Sequence, residues 1–423
     1  MREGWQISAL GEVCDVIGGG TPSKRNSAFY EGDIPWATVR DMRNEVLSKT
    51  EFHISQEALN NSSTKVIPGH NVVIATRVGL GKVCLLEEDT AINQDLRGII
   101  PKSKNIDVRF LFRWFQSIAS KIEEEGTGAT VKGVKLPFIK SLQLPIPPLP
   151  EQKRIVAILD EAFAGIDTAI ANTEKNLANA RELFESYLNS VFSQQGEGWT
   201  HSGVRELVAD GILEKPVDGN HGEIHPKKSD FLDRGVPFLM AKDLVFGSVD
   251  QQSCHFISEQ QAATLRKGFA KDGDVLLSHK GTIGRCAVLD TERSFVVLTP
   301  QLTYYRVKKE EKLNNRFLYY YFQSPEFLVS LNHIAGAGST RAYIGITRQL
   351  DLSISFPNVE YQQRLASKLD ELVVESRQIE GIYKQKLIAL AELKESLLQK
   401  AFSGQLAADR TASNPRLKDE EVA

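Results

Sequence analysis

The chain has 423 residues, of which 41 % are hydrophobic and 25 % charged, and a formal net charge of −3. That is the balance of a soluble globular chain of two to four domains, and it excludes a nucleic-acid binder held by bulk positive charge. Four cysteines (Cys14, Cys84, Cys254, Cys286) lack CxxC or Cys/His ligand spacing, so neither a zinc site nor a disulfide framework is indicated. No apolar run approaches the roughly 20 residues that span a bilayer, and the N-terminus lacks a signal-peptide core, so no membrane partner and a cytoplasmic setting are expected.

In chain order, residues 1–150 mix short β-rich runs such as "NVVIATRVG" with helical stretches such as "VRFLFRWFQSIASKIEEE", which predicts an α+β globular domain. The Pro-rich "LPIPPLP" that closes it is extended and helix-breaking. A long helix is predicted over 151–195: apolar or small residues recur at Ile155, Leu159, Ala162 and Ile166. The seam continues, after one phase shift near Gly165, at Ile170, Thr173, Leu177, Ala180, Phe184, Tyr187 and Val191. Residues 196–356 again read as an α+β domain. A second helix over 357–406 carries its seam through Leu365, Leu369, Leu372, Ser376, Ile379, Tyr383, Leu387, Leu390 and Leu397. A helix of about 40 residues is roughly 60 Å long, too long for one small domain to bury, so the two are expected to pack on each other. The polar stretch 407–423 is expected to be a disordered tail.

The second half repeats the first. "IPWATVRDM" (Ile34–Met42) matches "VPFLMAKDL" (Val236–Leu244) at an offset of 202, which also places Gly20 on Gly222 and Phe29 on Phe231. "WFQS" (Trp114–Ser117) matches "YFQS" (Tyr321–Ser324), and "GTGAT" (Gly126–Thr130) matches "GAGST" (Gly336–Thr340). Gln152, Arg154 and Asp160 then fall on Gln362, Arg364 and Asp370. The offset grows slowly and never jumps, as a duplication with loop insertions requires.

This order, together with "GGGTPSK", "GDIPWATVRDM", "LPIPPLPEQKRIVAILDEAF" and "LKESLLQKAFSGQL", resembles the specificity subunit of type I restriction-modification enzymes over about residues 1–406. The resemblance implies two target-recognition domains in tandem, each followed by a long α-helix, with the helices forming an antiparallel coiled coil. It implies a non-catalytic chain whose partners are double-stranded DNA, two methyltransferase subunits and two ATP-dependent restriction subunits. Each domain would read one half of a bipartite, asymmetric site.

The residues agree that chemistry is not this chain's task. A methyltransferase needs a Gly-rich cofactor loop and an (Asn/Asp)-Pro-Pro-aromatic motif; "IPPL" lacks the amide or acid. "VGLGKV" (Val78–Val83) lacks the spacing and hydroxyl of a phosphate-binding loop, and "DEAF" (Asp160–Phe163) sits on the heptad helix. The eight histidines form no spaced ligand cluster, so no metal or cofactor is expected. The alternative is a DNA methyltransferase-nuclease with unrecognised motifs.

Candidate DNA contacts come from comparing the copies. Arg40/Lys242, Arg77/Lys280 and Lys82/Arg285 keep their charge, with Arg25/Lys227 as a fourth pair. Phosphate contacts are indifferent to sequence, so both copies can share them. Base readers should differ: Thr38 against Met240, Thr76 against His279, and the loop holding Thr21, Lys24 and Arg25 against that holding Asn220, His221, Lys227 and Lys228. Thr127, Thr130 and Lys132 in the first copy, and Ser339, Thr340 and Arg341 in the second, lie in or beside glycine-rich stretches that could cradle phosphates, with a plain turn as an equal alternative. Trp36/Phe238 and Trp114/Tyr321 are expected in the core.

Overall fold

The computed structural model describes residues 4–128, 132–245, 247–335 and 343–406; the expected tail at 407–423 lies outside them. The chain forms two compact units, Met1–Glu174 with Gln385–Ala423, and Lys175–Lys384. Each unit joins one globular domain to part of both long helices.

In the first unit, strands Gln6–Ala9 and Gln143–Ile146 pair antiparallel, tying the start of the domain to the residues just before the long helix. A five-stranded sheet is ordered Cys14–Gly18, Leu96–Pro101, Val72–Ala75, Val83–Leu86, Val46–Leu47. A four-stranded sheet is ordered Phe52–Ile54, Ile34–Ala37, Thr90–Ile92, Lys65–Ile67. The two central strands of the latter run parallel, Trp36 opposite Ala91. Helix Val108–Ser117 puts Phe110, Leu111, Trp114 and Phe115 into the core against Leu10, Val72 and Ile99.

The second unit repeats this plan. Thr200–Gly203 pairs antiparallel with Ser353–Phe356, and Val236–Leu239 runs parallel to Val296–Leu298, Phe238 opposite Val297. Helix Asn315–Gln323 buries Phe317, Leu318, Tyr320 and Tyr321. Trp36, Phe238, Trp114 and Tyr321 are all buried, as core aromatics.

The long helices are Leu149–Ser193 and Val359–Phe402. They run antiparallel within each unit. In the first, the Phe402 ring packs tilted against Phe110 near the start of the first helix, and further along Lys394 pairs with Asp167 at 2.5 Å and lies over the Phe163 ring. In the second, Ser376 donates to the Ala180 carbonyl at 3.1 Å and Arg181 pairs with Glu380 at 3.2 Å. The Arg181 guanidinium holds the Glu380 carboxyl below its ordinary pKa.

Ile155, Leu159, Ile166 and Thr173 are buried as the heptad reading expects, but the seam slips near the end of the first helix. There Leu188 and Phe192 are buried, packed with Phe317 and Leu369, while Tyr187 is exposed. Ile379, placed on the second seam, is exposed as well. The reason is that these turns bury their apolar face against the globular domain, so domain contacts rather than a strict helix–helix repeat choose the inward side.

Candidate nucleic-acid interface

Both long helices are anchored by the same device. The Gln152 side chain is fully buried: Nε2 donates to the carbonyls of Asn105 and Pro147, both at 2.8 Å, and Oε1 accepts from the Asp107 N–H at 2.8 Å. Asp107 in turn caps helix Val108–Ser117 by accepting from the Phe110 N–H. Asp160, within "DEAF", bonds Arg113 at 2.7 Å and Arg109 at 3.0 Å, which makes it a structural anion. In the second unit Asp370 bonds Arg316, which stands where Arg109 does, and accepts from the Tyr320 hydroxyl at 2.5 Å, which stands where Arg113 does.

The conserved-charge pairs occupy matching places. The Ala75 N–H donates to the Lys82 carbonyl as the Ser278 N–H does to that of Arg285. Arg77 bridges to Gly133 as Lys280 bridges to Tyr343. The Thr38 N–H donates to Asp41 as the Met240 N–H does to Asp243, both at 2.7 Å, which places Arg40 and Lys242 on the same turn. All six cations are exposed at the surface of their unit. Arg77 is 3.6 Å from Asp95, and Lys280 lies over the Tyr343 ring.

Lys24, Arg25, Lys227 and Lys228 are exposed on loops that differ by two residues. A Cβ on Gly19 would clash with the Ile92 carbonyl, and one on Gly219 with that of Leu298. These glycines are therefore the structural equivalents, and Gly20 corresponds to Asn220, not to Gly222 as the 202 offset places it. The offset becomes 202 only by Phe29/Phe231, because the second loop carries the insertion. Asn220 is buried, its Oδ1 accepting from the Arg266 N–H at 2.9 Å and its amide donating to the Lys267 carbonyl, so its polar atoms already serve the fold.

Two other candidate readers are also buried. The Thr76 hydroxyl donates to the Asp95 carbonyl at 3.2 Å. His279 is fully buried, its Nδ1 2.9 Å from the Ile344 carbonyl, and burial pushes its pKa below the ordinary value. Thr38 is half-buried and donates to Asp41 at 2.9 Å. Thr21 is exposed and donates to Gln94. His221 is exposed, 2.6 Å from the buried Asp218. Thr127 and Lys132 are exposed, and the backbones of Thr127 and Gly133 exchange paired hydrogen bonds. Thr130, Ser339, Thr340 and Arg341 lie outside the described residues. Sequence comparison did not single out Thr299, Gln301 or His225, which line a cavity beside Lys280. The signal available was the exchange of Asn93 for Thr299 between copies, whose N–H groups donate to the matching carbonyls of Ala37 and Leu239.

Among the described residues no helix is long and apolar enough to cross a membrane, and no group of three or more His, Cys, Asp or Glu is arranged to hold a metal.

Against known proteins, the chain is 33 % identical over 191 residues to the EcoR124I/EcoR124II specificity subunit of Escherichia coli, covering 44 % of this chain and 47 % of that relative. It is 22 % identical over 422 residues to the MjaIX specificity subunit of Methanocaldococcus jannaschii, covering 95 % and 93 %. Its fold resembles a chain solved in a study titled "Structural basis underlying complex assembly and conformational transition of the type I R-M system" (TM-score 0.77, 19 % identity, 96 % and 99 % covered). It also resembles the HsdS subunit from Thermoanaerobacter tengcongensis (TM-score 0.62, 19 % identity, 96 % and 98 % covered). The profile described as "Type I restriction modification DNA specificity domain" matches residues 2–179 and 222–387, more than half the chain. With its two matched segments built on one repeated plan, the chain belongs to the family of type I restriction-modification specificity subunits.

Proposed function

We propose that this chain is the non-catalytic DNA-reading subunit of a type I restriction-modification complex, with each globular domain reading one half of a bipartite, asymmetric site. The observation that carries the reading is the repeated framework with divergent loops: Arg40/Lys242, Arg77/Lys280 and Lys82/Arg285 sit at matching positions, while the polar residues beside them differ. Shared cations suit the uniform phosphate backbone, and divergent neighbours suit two different base sequences.

The long helices set the spacing between half-sites and dock two methyltransferase subunits, with two ATP-dependent restriction subunits completing the assembly. Apolar side chains left exposed on these helices support the docking role, with Leu183 65 %, Ile382 62 % and Ile388 60 % exposed. The testing experiment replaces residues 1–150 with the first domain of another family member and maps adenine methylation in cells carrying the hybrid. One half-site is expected to change while the other stays; a change in both would reject separate reading.

A further inference from the structure

The second unit holds a cavity of about 310 Å³ walled by His221, His225, Met240, Lys280, Thr299 and Gln301. Three buried polar atoms in or beside it find no hydrogen-bond partner among the described residues: Thr299 Oγ1, His225 Nδ1 and His279 Nε2. Thr299 is only 3 % exposed, so solvent does not supply the missing bond. The His279 tautomer follows from its surroundings. A carbonyl can only accept, so Nδ1, 2.9 Å from the Ile344 oxygen, carries the proton and the neutral ring leaves Nε2 as a bare lone pair. Burial lowers the pKa of His225 as well, and with its hydrogen bond to the Asn220 backbone made, its Nδ1 has no partner among the described residues. Of the three, His225 and Thr299 line the cavity, which thus offers one acceptor and one hydroxyl, while His279 lies next in the chain to the lining residue Lys280.

The equivalent place in the first unit has its polar groups paired. There Asn93 stands for Thr299 and Asp95 for Gln301, and the two bond each other: Asn93 Nδ2 donates to Asp95 Oδ2 at 3.3 Å, and the Asp95 N–H donates to Asn93 Oδ1 at 3.1 Å. Thr76, in the place of His279, has its hydroxyl bonded, and Thr38, in the place of Met240, donates to Asp41. The copies therefore differ in whether polar groups are satisfied, at a spot flanked in both by the matched cation Arg77 or Lys280.

We propose that this cavity is the base-reading pocket of the second domain, and that it takes a base presenting an exocyclic amino group, adenine N6 or cytosine N4. In the major groove those amines are the donors, whereas guanine O6 and N7 and thymine O4 are acceptors that would face the lone pair of His225. The inference rests on the DNA-reading function proposed above.

The test uses the assembled complex with its methyltransferase subunits and duplexes scanned through both half-sites. Thr299→Val removes the hydroxyl at nearly constant volume. It is expected to leave the melting temperature and first half-site recognition unchanged and to lower discrimination about tenfold at one base pair of the second half-site. Purine in place of adenine, or 2-pyrimidinone in place of cytosine, should mimic that loss at the same position and so identify which amine is read. His225→Gln, which retains an acceptor, should keep the preference that His225→Leu loses. A fall in melting temperature for Thr299→Val would mean that the hydroxyl already has a partner in the free protein, and would overturn the proposal. Unchanged discrimination, or uniformly weaker binding to all sequences, would overturn it too while leaving DNA reading intact. If the wild-type complex shows no sequence preference, the broader reading falls with it.

Discussion

Gln152 and Gln362 make the same three hydrogen bonds in their separate units: each amide donates to two carbonyls, and each Oε1 accepts from the N–H of the residue capping the domain's aromatic helix, Asp107 or Asn314, at 2.8 Å. Both side chains are fully buried, so no water replaces a lost bond. Gln152→Ala or Gln362→Ala should each cost about 2–3 kcal/mol, since an abandoned buried polar group costs roughly 1–3 kcal/mol. Urea denaturation of the purified complex measures this; a loss within about 0.5 kcal/mol, the range of an ordinary surface substitution, would contradict the anchoring role.

Arg77→Ala and Lys280→Ala should weaken binding to specific and non-specific duplexes alike. Each should reduce the slope of log affinity against log salt by about one, the signature of one lost phosphate contact. A change of base preference at a single position would instead make that residue a reader.

His279 ties stability to pH. Burial holds its pKa below the ordinary 6.5, so the unfolded chain takes up a proton that the folded ring refuses. The stabilisation is present above that value and is lost as pH falls from there toward the folded pKa. His225, also depressed by burial, adds to the same trend. The urea midpoint should fall between about pH 7 and pH 5.5, and His279→Gln should flatten that fall. An unchanged slope in the variant would refute the assignment.

The thiols should be inert in the folded chain. Burial pushes Cys14 and Cys84 up to about 12 and Cys254 to about 11, and raises Cys286 as well. Titration with a chromogenic disulfide at pH 8 should therefore find no fast-reacting thiol until denaturant is added. Rapid reaction of any one of the four would contradict the packing around it.

Four residues inserted after Ala171, matched by four near Ala389 on the antiparallel helix, should keep both half-sites and lengthen the gap between them. Each helical residue adds about 1.5 Å, so four add about 6 Å and keep the seam nearly in phase. A methylation map of cells carrying the variant reads the spacing directly, and altered bases with an unaltered gap would contradict the helices' role as a spacer.

The sequence by itself determined the tandem α+β plan, the two long helices and the matching of cations, because duplication leaves backbone-dictated features in register. The buried glutamines stand in the same place after each domain because each satisfies the same three backbone groups. Only the tertiary structure decided which polar side chains are free. Thr76, His279 and Asn220 look like readers as letters, yet burial commits the Thr76 hydroxyl and the Asn220 amide to bonds within the fold. Thr299 carries no signal in its own segment, and its unpaired hydroxyl exists only because the fold stacks it beside His225 and Lys280. The seam near Tyr187 and Ile379 was decided in the same way, by domain surfaces distant in sequence that claim Leu188 and Phe192. Hydrogen-bond satisfaction and burial are sums over neighbours brought together by folding, and a local pattern cannot record them.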